Sequence, residues 1–178
     1  MKNYGLWLAT LTLAVGVSTS AWSFPSAKKS PEAAVADSGK QATEAYNKGV
    51  DEQKKAFALF AKNDTTKAMK GLEKAVKNYE KAVALHDSFP EAWSNMGYCL
   101  RNLGNFSRSL EVYDKALKLK PNFPEAIEYR AVAYIWLGRM DDAKAEYERL
   151  LKIDSTEAGE LKKALDAAAA GKLKKGTW

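Results

Sequence analysis

From about residue 41 onward, apolar side chains recur at helical spacing, and the pattern itself repeats. Sliding the sequence by 34 places Pro90 on Pro124, Glu91 on Glu125, Ala92 on Ala126, Leu103 on Leu137, Gly104 on Gly138, Tyr113 on Tyr147 and Leu117 on Leu151. The same shift backwards sets Tyr79 under Tyr113, Ala82 under Ala116, Leu85 under Leu119 and Phe89 under Phe123, so a third copy exists at least in its second half. A fixed period of this length predicts antiparallel helix pairs stacked in a row, each burying its apolar side on the next.

The first copy is irregular. Its second half fits through Ala75, Tyr79 and Ala82, but Gly49 lies about 14 residues too early to pair with it in the register of the other copies. The pattern therefore predicts two lengthened helices, near 41–62 and 66–87, joined at Asn63-Asp64-Thr65 with Asp64 or Thr65 as N-cap. Pro90, Pro121 and Pro124 mark helix ends, because a prolyl nitrogen cannot donate inside a helix. Leu161 and Leu165, four apart, predict a closing helix over 156–170 with Ser155 or Thr156 as its N-cap. Residues 24–40, with two Pro, three Ser and no apolar period, read as a flexible leader. Before them, Lys2 precedes an uncharged stretch whose apolar centre is Gly5 to Val17, followed by Ala21-Trp22-Ser23, the layout of a cleaved secretory signal over residues 1–23. An uncleaved membrane anchor over Tyr4 to Trp22 is the competing reading.

The middle copy, Pro90 to Phe123, resembles the tetratricopeptide-repeat family through Trp93, Met96-Gly97, Leu100, Ser109, Tyr113, Ala116 and Pro121. The third copy, 124–155, keeps Ala131, Tyr134, Ala143 and Tyr147 but has Ile127, Arg130 and Ser155 where that family has Trp, Leu and Pro. Arg130 at a place usually buried has no sequence-level account. The resemblance implies an all-α, helix-turn-helix solenoid of about three pairs (41–89, 90–123 and 124–155), closed by a C-terminal capping helix. Gly97 and Ala131 are expected where paired helices approach, and Trp93, Tyr113 and Tyr147 where space is filled.

Composition narrows the chemistry. Cys99 and His86 are each alone of their kind, so there is no intramolecular disulfide, thiolate zinc site or two-His motif. No phosphate loop, metal-ligand spacing or nucleophile elbow is present. The expectation is a protein without catalytic residues, cofactor or metal. Lys+Arg outnumber Asp+Glu by 28 to 22. Lys172, Lys174 and Lys175 give residues 171–178 a basic tail ending in Trp178, which offers contact with an anionic membrane surface; a solvated tail is the bland alternative. An exported chain meets little nucleic acid, so none is expected as partner.

In the resembled family the first helix of each repeat lines the concave face. Carried over by position, this selects Asn95, Tyr98, Arg101 and Asn102 in the middle copy and Glu125, Glu128, Tyr129, Val132 and Trp136 in the next. The mixture of aromatic and acidic groups suits a peptide or protein of the bacterial envelope, with no catalysis. Two readings compete: Val132, Ile135 and Trp136 pack on the C-terminal segment, or the repeats stack into a homo-oligomeric scaffold. Some relatives clamp a C-terminal carboxylate with Asn and basic residues. Here Asn95 matches one Asn place, but Glu125 and Tyr129 stand where Lys and Arg are needed, which argues against that clamp.

Overall fold

A computed structural model describes residues 31–173, with side chains from 35 onward. Among these residues there are seven helices and no strand: α1 (Pro31–Ala61), α2 (Thr65–Leu85), α3 (Pro90–Asn102), α4 (Phe106–Leu119), α5 (Pro124–Trp136), α6 (Met140–Leu150) and α7 (Ser155–Ala169). Helices pair as α1/α2, α3/α4 and α5/α6, each pair packs on the next, and α7 lies against α5 and α6. The segment read as signal or anchor, 1–23, lies outside the described residues.

The repeat is visible in its turns. After α1, α3 and α5 the chain passes through one left-handed residue, Asn63 (φ 59°), Gly104 (φ 85°) or Gly138 (φ 73°). Around each, the same two backbone bonds form: Asn63, Gly104 and Gly138 donate to the carbonyls of Phe60, Arg101 and Ile135, while Asp64, Asn105 and Arg139 reach Leu59, Leu100 and Tyr134. This pairing consumes carbonyls that the helix end leaves open, and it needs a residue that tolerates positive φ. The end of α7 repeats it at Gly171. α2 and α7 begin at aspartates: Asp64 accepts from Lys67 N, and Asp154 accepts from Thr156 N at 2.8 Å and Glu157 N at 3.2 Å. The cap of α7 is therefore Asp154, one or two residues earlier than expected, because its carboxylate reaches two amides from an extended backbone.

The first pair reconciles the misplaced glycine. A Cβ on Gly49 would lie 2.6 Å from the ring of Tyr79, and one on Gly97 would lie 2.5 Å from the ring of Tyr113. Both pairs do the same job in different registers. Gly49 lies twelve residues before the end of α1 at Ala61, whereas Gly97 lies five before the end of α3 at Asn102. Tyr79 lies fourteen after the start of α2 at Thr65, whereas Tyr113 lies seven after the start of α4 at Phe106. Each arm of the first hairpin is thus seven residues longer. Seven residues are about two helical turns, so the added length preserves which side faces inward and projects the tip by ~10 Å. Inside the added turns Gly71 meets Ala56, where a Cβ would be 3.0 Å away, a second close approach between the same helices.

Two expectations need correction. α1 starts at Pro31, not near 41, so residues 31–40 are helical where a flexible leader was expected. Proline fits the first turn, where its missing N–H has no partner to lose, and EAAVA supplies strong helix formers. The apolar period is absent because this stretch runs past the end of α2; Val35 is 71% exposed. Arg130 also gains an explanation. It does not enter the core as leucine would; its guanidinium bridges Asp114 of α4 at 2.6 Å and Glu146 of α6, tying three helices together. Arg149 adds a contact to Glu146 at 3.4 Å. A network of this kind is worth more than isolated surface pairs because one mostly buried guanidinium is already held by Glu146 when it meets Asp114.

Overpacking typically costs ~1–3 kcal/mol, so Gly49→Ala and Gly97→Ala should each lower the free energy of unfolding by that order in urea melts. Gly159, in helix α7 with nothing within 4 Å of its Cβ position, should instead gain ~0.5–1 kcal/mol on change to Ala. Equal effects at all three sites would contradict the packing described.

Candidate partner-binding face

α3 touches both α1 and α5 directly as well as through their partners, so the outward sides of the three helices form one continuous wall. Aromatic rings run across it. Phe60 lies 6.0 Å from Phe57, Phe57 lies 5.4 Å from Tyr98, and Tyr98 lies 4.6 Å from Tyr129, centroid to centroid. All four are only half-buried. The guanidinium of Arg101 sits 4.9 Å from the Tyr98 ring and 5.6 Å from the Tyr129 ring, a cation held against two π faces. Further along, Trp136 stacks on Phe106 with centroids 5.6 Å apart and planes 6° from parallel.

The residues expected on this face divide into three groups. Asn95, Tyr98, Tyr129 and Trp136 are half-buried and Glu125 is exposed, so all five are reachable. Arg101, Asn102 and Glu128 are buried at 3%, 8% and 4% exposure. Asn102 spends its amide on the carbonyl of Tyr98, one turn back, and Asn95 donates to the hydroxyl of Tyr46 at 3.1 Å. Val132 is completely buried in the cluster that includes Ile135, Ala158, Leu161 and Ala164, with Trp136 packed at its edge. α7 therefore covers Val132 and Ile135, and neither belongs to an accessible surface; apolar side chains at the end of a repeat array need such a cover. Phe57, Phe60 and Tyr46 also belong to this face and were not among the expected residues. Phe57 and Phe60 lie in the part of α1 after Gly49 that is lengthened, where a frame fixed at 34 residues gives no position for them.

Electrostatics is uneven along the wall. Burial pushes the carboxyl of Glu128, at the start of α5, up to about 7; Arg101 opposes the shift, and Glu157 and Glu160 at the start of α7 add to it. Glu157 is raised too, by burial and then by Glu125, Asp154 and Glu160. Cys99 is fully buried, its thiol 3.5 Å from Gln53 Oε1, which also accepts from Tyr79 at 2.7 Å. Burial raises that thiol far above the ordinary range, which leaves no thiolate for nucleophilic chemistry. Among the described residues no group of three or more His, Cys, Asp or Glu is placed to hold a metal, and no helix is long and apolar enough to cross a membrane.

Models of the tetratricopeptide repeat match residues 90–123 in one form, and residues 53–82 and 125–155 in another. The chain belongs to this family of repeat proteins, a fold that mediates protein interactions without catalysis. Solved structures agree on the fold. The first such domain of Spaghetti (RPAP3), bound to the HSP90 peptide SRMEEVD, is 23% identical with a TM-score of 0.52, over 70% of this chain and 95% of that one. The Arabidopsis OM64 domain is 19% identical with a TM-score of 0.58, over 72% and 96%. The TPR2B domain of yeast Sti1, in complex with pHsp70, is 23% identical with a TM-score of 0.51, over 74% and 98%. No curated protein matches the chain.

Two outcomes follow. Cys99 should resist a thiol reagent in the native protein and react fully in denaturant; rapid native labelling would contradict its burial. For Glu128, the folded protein holds the proton more tightly than the unfolded chain, whose carboxyl titrates near 4.5. The stability this proton confers is complete below about 4.5 and is lost as pH rises through about 7. Urea melts should therefore show the parent losing on the order of 3 kcal/mol relative to Glu128→Gln between pH 4 and 8. Parallel pH profiles for the two proteins would contradict it.

Proposed function

We propose that the protein is a non-enzymatic adaptor that holds a segment of another protein on the wall formed by α1, α3 and α5. The observation that carries this is the run of half-buried rings Phe60, Phe57, Tyr98 and Tyr129, continuous across three helices. Rings in such settings supply large apolar contact at low entropic cost, the usual make-up of interaction hot spots. Two of the structurally similar domains are described as complexes, one with the HSP90 peptide SRMEEVD and one with pHsp70, which supports peptide or protein binding as a use of this fold. Capture of a terminal carboxylate in the manner set out above does not suit this chain. The amide of Asn95 is engaged by Tyr46, and Glu125 would repel the incoming charge.

Location in the bacterial envelope belongs to the same proposal, and it rests on Lys2 and the apolar stretch that follows. No cofactor is invoked. Head-to-tail stacking into a homo-oligomeric scaffold is disfavoured by the outer side of α7, where Glu160, Lys162, Lys163 and Asp166 are exposed and largely paired among themselves.

The test is crosslinking capture from the envelope fraction of the source cell, with the full chain and a Tyr98→Ala/Tyr129→Ala variant as parallel baits, the variant's helicity confirmed by circular dichroism. A protein captured by the parent and lost by the variant is the expected result. Identical capture by both would place binding elsewhere on the molecule.

A further inference from the structure

The aromatic wall ends against carboxylates. Glu125 and Glu128 rise from the first two turns of α5, and Glu157 and Glu160 from the first two turns of α7, which packs alongside. The charges that act on Glu157 are Glu125, Asp154 and Glu160, all of its own sign. Those that act on Glu128 are Glu157 and Glu160, opposed by Arg101. Glu160 has a surface partner in Lys163 at 2.5 Å, and Arg101 is held between the rings of Tyr98 and Tyr129. Glu128, although 4% exposed, takes part in no hydrogen bond among the described residues and meets Arg101 only through space.

Ordinary helix chemistry accounts for part of this arrangement and not the rest. A carboxylate in a first turn is favoured by the helix dipole, which suits Glu125 and Glu157 separately. It does not favour bringing the two helix starts together, nor burying Glu128 between them. Burying a carboxylate beside others of its own sign is costly unless something else supplies charge or protons. A cation delivered from outside would relieve the repulsion among Glu125, Glu128 and Glu157, and the adjacent rings already show, through Arg101, that they accept a guanidinium.

We infer that the occupant of this face is a cationic segment of another protein, with Lys or Arg directed to the reachable carboxylates of Glu125 and Glu157, Glu128 adding its charge from beneath, and aliphatic or aromatic side chains on Tyr98, Phe57 and Phe60. The inference rests on the binding role proposed above and adds the sign of the partner. Charge complementarity selects it: an acidic segment would meet the carboxylates of Glu125 and Glu157, a like-charge contact that excludes it. An aromatic stretch without charge would leave the repulsion at the end of the wall in place.

The experiment is selection of a random peptide library, displayed on phage, against the full protein. Recovered peptides are then measured by fluorescence polarisation on the parent, on Glu125→Lys/Glu157→Lys and on Tyr98→Ala/Tyr129→Ala, each variant checked for helicity. Enriched peptides should carry at least two Lys or Arg beside apolar residues, weaken with added salt, and lose affinity about tenfold or more on the charge-reversed variant. Acidic or uncharged peptides that still need Tyr98 and Tyr129 would overturn the cationic partner and leave the binding face standing. Basic peptides indifferent to the charge reversal would do the same. Peptides indifferent to both variants, or no enrichment over the unselected library, would overturn the cationic partner and the binding face together.

Discussion

A tyrosine ring laid against a glycine backbone sets the spacing of the first two helix pairs. Tyr79 and Tyr113 are fully buried, and each occupies the place where a side chain on Gly49 or Gly97 would stand. The contact brings the paired helices close enough that the small residues along the seam, Ala45, Ala56 and Ala75 in the first pair, share one core. Because seven residues are added on both arms, the first hairpin grows without disturbing this contact or the inward side of either helix. Lengthening only one arm would shift the tyrosine off its glycine. The lengthened first hairpin therefore behaves as an insertion matched across two helices.

That matched insertion creates much of the candidate binding surface. It carries Phe57 and Phe60 beyond the height of α3 in the standard pair, and Phe57 comes to rest beside Tyr98. At the opposite end α7 takes the position a further first helix would have, and in doing so closes the core over Val132 and Ile135 while adding Glu157 and Glu160 to the rim. The wall is thus aromatic toward the first hairpin and acidic toward the last helix. Both properties come from the two ends of the array, where the repeat pattern is modified.

The regular parts were the legible ones. The positions of Gly104 and Gly138, the prolines at 90 and 124 and the tyrosines at 79 and 113 recur because the same turn and the same contact recur, so spacing alone located the second and third pairs. Asp64 could be named as a cap because its side-chain chemistry is local. What spacing could not supply depended on neighbours from other helices. Arg130 looked misplaced until Asp114 and Glu146 were seen beside it. Val132 looked like part of an open face until α7 covered it, and Glu128 looked accessible until α3, α5 and α7 closed round it. Residues 31–40 lacked a pattern for a different reason: a helix that extends past its partner buries little, so helix-forming composition is the only signal it leaves.

The most direct measurement of the central claim is a nuclear magnetic resonance titration of the isotopically labelled protein with a bound peptide, following backbone amides residue by residue. The account predicts the largest shifts along one side of α1, α3 and α5, around Phe57, Tyr98, Tyr129 and Glu125, continuing to Glu157 at the start of α7, with α2, α4 and α6 little changed. Shifts confined to α2, α4 and α6, or to the outer side of α7, would contradict it.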